Sequence, residues 1–246
     1  MKLTPVDINC DTGEGVGNEM ELFPFITRCN IACGGHAGDE NSILQVIEMA
    51  KGQKIKIGAH PSYPDKLNFG RKVLNISLQE LEEALADQLL LFKKCAIKSK
   101  IKVTHVKPHG ALYNEASKNS ELAETVVKVS SKVFPNAALV APFHSELAKA
   151  RIKTGNVIYE AFADRNYNSD LSLVSRKEPN ATINNPEEVL SHLLYILKNN
   201  AVRTINNASI PIKATTFCVH GDTLNARNIL KFINQKLPEY GWFIRL

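Results

Sequence analysis

The sequence predicts an α/β fold: a seven-stranded parallel β/α barrel of the TIM-like type, spanning residues 1–246 as a single domain. Three observations carry this. Short apolar runs rich in β-branched residues recur along the chain, as in strands buried on both faces of a parallel sheet. Helical patterns fill most of the gaps between them, which implies parallel strands with right-handed crossovers. Nearly every run ends in polar, ionisable residues. A closed barrel brings all such strand ends to one mouth, whereas an open doubly wound sheet gathers them only near its switch point. The spread of reactive strand ends favours the barrel, and the seven strong runs favour seven strands over a full eight.

The elements follow in chain order. VDINCD (6–11) places Asp7, Asn9 and Asp11 on one strand face, and inward acids are costly unless paired or used. TGEGVG follows, with Glu14 among three glycines. It matches neither GxGxxG nor GxxxxGK[ST], so a flexible βα loop and a ligand loop both fit. CNIAC (29–33) is the second strand. It leads into GGHAGD, where His36 stands between glycines and Asp39 is placed to cap a helix over 40–51, with Ile43, Leu44, Ile47 and Ala50 on one face. KIGAH (56–60) ends in His60, held extended by Pro61. Arg71, in the loop beyond, suits bidentate binding of a carboxylate.

Ser77 and Glu80 form a capping box for a helix over 78–95 carrying Leu78, Leu81, Leu85, Leu89 and Phe92. In VTHVKPH (103–109), His105, Lys107 and His109 alternate and share one face. Three basic groups on an apolar strand are hard to bury idly. A helix over 120–133 precedes the strand AALVAPFH (137–144). VIYEAFADR (157–165) ends in Glu160, Asp164 and Arg165. Asn185-Pro186-Glu187-Glu188 starts a helix over 186–198. Residues 203–212 read as a turn or short hairpin. TTFCVHGD (215–222) is the last strand, ending in His220 and Asp222. A helix over 222–236 follows, capped by Asp222 or Thr223.

Composition excludes several classes. Hydrophobic residues make up 44% and charged residues 22%, ordinary for a globular protein. The net charge of +5 is dispersed. The densest lysine run, Lys93 to Lys102, sits at a helix end, where it complements the dipole, and no aromatics interleave with it for base stacking. No nucleic-acid partner is expected. No run approaches a membrane span and the amino terminus has no apolar leader, so a cytoplasmic protein is expected. The five cysteines, an odd number in apolar runs, suggest free thiols in a reducing compartment. Cys29 and Cys33 would lie about 13 Å apart along a strand, too far to share a metal. No metal site is predicted. A divalent metal held by Asp11 with His36, His60 or His105 is the arrangement the residues would allow.

Carboxylates for base catalysis, imidazoles titrating near neutrality and cations for an oxyanion suit water attack on an acyl centre. No GxSxG motif or evident cysteine nucleophile is present, so the residues alone favour a hydrolase.

The segments DINCDTGEG, NIACGGHAGD, IGAHPSYPD, FGRK, THVKPHGALYN, EAFADRNY, LVSRKEP and TFCVHGDT together resemble the LamB/YcsF family, in family order from about residue 5 onward. The resemblance implies a seven-stranded barrel of the glycoside hydrolase/deacetylase type. It also implies the role of a 5-oxoprolinase A subunit: ATP-dependent opening of the lactam 5-oxoproline to glutamate, with separate B and C subunits. ATP is then a co-substrate, and the missing P-loop fits its activation step occurring on those partners. By motif, the implied catalytic residues are Asp11, His36, His60, Lys107 and His109. The implied substrate-binding residues are Glu14, Asn30, Arg71, His105, Asp164, Arg165, His220 and Asp222. The chain departs from the family pattern at Thr12, Gly35 and Ser62, where leucine, phenylalanine and glycine are common, and its loop after Glu14 looks shorter. The competing readings are a metal-dependent deacetylase and a lactam-binding subunit without catalysis.

Overall fold

The computed structural model describes residues 3–244. The expectation of no leader begins on Met1 and Lys2, and the predicted domain ends on Arg245 and Leu246; these four positions lie outside the described residues. The strands are β1 (Thr4–Val6), β2 (Ile8–Thr12), β3 (Arg28–Ala32), β4 (Lys56–His60), β5 (His105–Val106), β6 (Ala138–Pro142), β7 (Val157–Phe162), β8 (Ala201–Arg203), β9 (Ser209–Pro211), β10 (Thr216–Cys218) and β11 (Trp242–Ile244). The helices are α1 (Glu19–Leu22), α2 (Glu40–Gly52), α3 (Leu78–Lys98), α4 (Gly110–Ala116), α5 (Ser120–Val133), α6 (Glu146–Ile152), α7 (Pro186–Asn199) and α8 (Ala226–Lys236).

Seven strands close a parallel barrel in the order β10-β2-β3-β4-β5-β6-β7. These are the seven runs read from the sequence. The remaining strands form two small pairs. β1 lies parallel to β11, and β8 with β9 makes the short antiparallel hairpin expected near 203–212. The apolar core fills the space between barrel and helices, with Ile31, Ile43, Ile47, Leu85, Leu89, Phe92 and Leu193 fully or almost fully buried. Among the described residues, no helix is long and apolar enough to cross a membrane.

Local signals explain most helix starts. The Asp39 side chain accepts from the Ser42 amide, and Ser77 with Glu80 makes the reciprocal capping box. Asn185 accepts from the amides of Glu187 and Glu188 ahead of Pro186. The last helix departs from expectation: it begins at Ala226, not at 222, and Asn225 precedes it without a side-chain cap. Asp222 and Thr223, the cap-type residues, are engaged elsewhere: Asp222 pairs with Arg71, and the Thr223 hydroxyl donates to Asp164.

Strand register sets the interior of the barrel. Asp11 lies beside Asn30, Asn30 beside Gly58, and Gly58 beside His105, so one layer collects these four residues. Gly58 is required there: a Cβ would stand 2.3 Å from His105 Nε2. β5 is only two residues long, but the extended chain continues past it. The Lys107 amide donates to the Ala59 carbonyl and the His109 amide to the Pro61 carbonyl. The alternation of His105, Lys107 and His109 therefore survives beyond the strand.

Candidate active site at the barrel mouth

A cavity of about 600 Å³ opens at the carboxyl ends of the strands. Asp11, Glu14, His60, Arg71, Lys107, His109, Arg165, His220 and Asp222 line it. A second hollow, against α7 and α8, shares no residue with it.

Lys107 anchors the floor. Its buried ammonium lies 3.0 Å from Asp11 Oδ1, 2.9 Å from Glu160 Oε1 and 3.3 Å from Cys218 Sγ. Burial pushes a lysine toward neutrality, but Asp11, Cys218 and Glu160 outweigh it and hold Lys107 well above its usual range. Asp11 is the mirror case. Burial raises its carboxyl, while its neighbours His60 and Lys107 carry it well below the ordinary value. The Asn30 amide donates to Asp11 Oδ1 at 2.7 Å, and Tyr113 donates its hydroxyl to Glu160 Oε2 at 2.7 Å. Asp11 Oδ2 stands 3.5 Å from His60 Nε2. An ionised pair so placed needs hydrogen bonds to offset its desolvation, and Asn30 and Tyr113 supply them while Asp11 Oδ2 stays open.

Beside this pair lies a histidine cluster. Glu14 Oε1 is 2.9 Å from His36 Nε2, 3.3 Å from His109 Nδ1 and 3.8 Å from His60 Nε2. The His36 and His109 rings stack in parallel with centroids 3.7 Å apart. Burial pushes His36 down to about 4, against its hydrogen bond to Glu14, and burial likewise lowers His109. Glu14 is held far below its usual value: the His109 and His36 imidazoles beside it overcome the upward push of burial.

The remaining sequence-predicted residues divide by depth. Asn30 and His105 lie in the barrel interior, outside the cavity lining. Their polar atoms are spent on neighbouring groups. His105 Nε2 donates to Asn30 Oδ1 at 2.8 Å, while its Nδ1 accepts from Thr104 at 2.8 Å and from Arg28 at 3.2 Å. Among the described residues, the donor atoms that lie together are those of Glu14, His36, His60 and His109 and those of Asp11, Cys218 and His220; His105 is in neither group. His36 does not line the cavity either; it backs Glu14 from behind. Asp164 is buried and positions His220, accepting from its backbone amide at 2.9 Å and its Nδ1 at 3.0 Å. Burial raises Asp164, but His220 and Thr223 bring it down to about 2.

Arg165 lines the cavity but spends its guanidinium on the carbonyls of Ala181 and Val174, pinning the loop between β7 and α7. That loop carries Arg176, which faces the cavity 3.7 Å from Asp222 Oδ1, while Arg71 pairs with Asp222 Oδ2. Neither Arg176 nor Tyr113 is among the sequence-predicted site residues. Arg176 sits within LVSRKEP, a motif noted above. Tyr113 sits one turn into α4, and its signal is proximity to HVKPHG.

A family model for the LamB/YcsF family matches residues 6–245. The 5-oxoprolinase A subunit of Bacillus thuringiensis subsp. konkukian is 36% identical over 246 residues, covering 97% of each chain. That of Chloroflexus aurantiacus is 38% identical over 242 residues, covering 96% of each. Among solved structures, the lactam utilization protein of Thermus thermophilus superposes with a TM-score of 0.90 at 29% identity, covering 98% of this chain and 99% of that one. The motifs at the strand ends, the closed seven-stranded barrel and these full-length matches agree: the chain belongs to the LamB/YcsF family.

Proposed function

We propose that this chain is the A subunit of an ATP-dependent 5-oxoprolinase, acting as a single barrel domain in the cytoplasm to open 5-oxoproline to glutamate with B and C subunits. The observation that carries the reading is the Lys107 ammonium held between Asp11 and Glu160 on the cavity floor, next to the histidine cluster. The names of the full-length relatives support the substrate. The five buried free cysteines support a reducing compartment.

A five-membered lactam is an unactivated amide, so attack by water needs a better electrophile. Phosphorylation of the amide oxygen by ATP, on a partner chain of the complex, supplies one. Water then adds to the ring carbon, with Asp11 Oδ2 taking its proton; Oδ2 is the oxygen left free by Lys107 and Asn30. The C–N bond breaks as the ring nitrogen gains a proton. A second water then releases phosphate from the resulting acyl phosphate. Lys107 stabilises the negative charge that develops over the floor. Arg71 and Arg176, which already bracket one carboxylate at the rim, hold the carboxylate of the substrate.

The test is an assay of glutamate release from 5-oxoproline and ATP, with this chain alone and with candidate B and C subunits. Release that requires all three supports the reading. No release in any combination contradicts it.

A further inference from the structure

Glu14, His60 and His109 share a hydrogen-bonding deficit that their own protons do not cure. His60 Nδ1 lies 2.6 Å from the Lys107 carbonyl oxygen, and His109 Nε2 lies 3.0 Å from that of Phe69. A carbonyl only accepts, so both of these nitrogens carry hydrogen. In the neutral rings the opposite nitrogens, His60 Nε2 and His109 Nδ1, therefore present lone pairs, and they face each other at 3.0 Å. Glu14 Oε1 completes a triangle of acceptors, 3.3 Å from His109 Nδ1 and 3.8 Å from His60 Nε2. Acceptors converge in this way around a cation.

The dimensions suit a metal ion. A tetrahedral centre with bonds of about 2.0–2.1 Å sets its ligand atoms about 3.3 Å apart. The triangle's sides of 3.0, 3.3 and 3.8 Å bracket that value. Backbone carbonyls on the far ring nitrogens are the supports that metal-bound histidines use to fix tautomer and orientation. The geometry points to a divalent-metal site of the His₂Glu type, ligated by His60 Nε2, His109 Nδ1 and Glu14 Oε1, with its remaining position open to the cavity. The nitrogen and oxygen ligand set favours Zn²⁺.

His36 belongs to this site as a positioning residue. Its ring stacks on His109 at an interplanar angle of 3°, so an ion in the plane of one ring lies off the plane of the other. Its Nε2 instead donates to Glu14 Oε1. The cavity lining makes the same division: Glu14, His60 and His109 face it and His36 does not. A separate group, Asp11, Cys218 and His220, also brings three donor atoms together, and the test must tell the two apart. The inference does not rest on lactam opening, because metal binding is measured on this chain directly.

Chelator-treated full-length protein is titrated with Zn²⁺ by calorimetry and with Co²⁺ by visible absorption, and each variant is checked for folding by circular dichroism. One bound equivalent is expected, with Co²⁺ bands of a tetrahedral nitrogen–oxygen site and no thiolate charge-transfer band. Glu14→Gln and His109→Gln should each weaken binding by more than about 100-fold, and His36→Phe by about 10- to 100-fold. Cys218→Ser and His220→Gln should leave it unchanged. Absence of Zn²⁺ and Co²⁺ binding by the unmodified chain would overturn the inference, a shared proton then bridging the two rings. So would a thiolate band, or full affinity retained in folded Glu14→Gln and His109→Gln. The Co²⁺ spectrum of the unmodified chain decides the question even if the variants fail to fold.

Discussion

At the scale of single residues, the molecule separates ionised groups that face the cavity from polar groups that hold them. Lys107 and Asp11 face the cavity, whereas His105 and Asn30 lie beneath and spend their polar atoms on each other and their neighbours. Arg176 gives one residue-scale prediction. If it holds the substrate carboxylate, Arg176→Ala removes a charge-assisted contact of about 1.5–3 kcal/mol and raises KM by about 10- to 100-fold, with kcat little changed. Steady-state kinetics at saturating ATP checks this. His192 on α7 gives another. Burial drives it down to about 4, against Asp164 and the Phe162 backbone, and its Nε2 has no partner. Its folded value lies below the unfolded 6.5, so between the two the unfolded chain binds the extra proton. Its contribution to stability is complete above about pH 6.5 and falls as the pH drops toward about 4, by about 3 kcal/mol in all. Urea unfolding at about pH 7.5, 6 and 5 should show a fall to which buried His36 also contributes, and His192→Leu should make it shallower.

At the scale of elements, the sequence is most legible where periodicity and caps act alone. Five helices and the seven barrel strands follow from spacing, Ser77 and Asn185 mark their helix starts, and the alternation in HVKPH points its basic groups inward. Legibility fails where a residue's local preference is overridden by a distant partner. Asp222 and Thr223 have cap chemistry, yet Arg71 and Asp164 claim them and α8 starts later. In the sequence the histidine cluster is a set of separate strand ends, because Glu14, His36 and His109 meet only through loop geometry. Arg176 escapes sequence reasoning because the path of a long loop carries no periodic signal.

Gly35 and Ser62 show the same coupling between elements. The Gln88 side chain on α3 clamps Ser62 from both sides, accepting from its amide at 3.0 Å and donating to its carbonyl at 2.9 Å. A Cβ at position 35 would stand 2.3 Å from Gln88 Oε1 and 2.4 Å from Ser62 Oγ. Positions 35 and 62 therefore share one space against Gln88. Gly35→Ala should cost about 1–3 kcal/mol, and Ser62→Gly should restore part of it. A double-mutant cycle in urea measures the coupling; simple additivity would contradict it.

At the scale of the whole molecule, the barrel explains why residues scattered from Asp11 to Asp222 form one site. Seven parallel strands deliver their carboxyl ends to a common mouth, and the loop after β7 closes over it with Arg165 and Arg176. In the proposed function, the Asp11–Lys107 pair on that floor carries out the ring opening. The most direct measurement is glutamate release from 5-oxoproline by the assembled complex carrying Asp11→Asn or Lys107→Met in this chain, with folding and assembly verified for each. kcat should fall by about 100-fold or more in both. Turnover at the unsubstituted rate in either correctly assembled variant would contradict it.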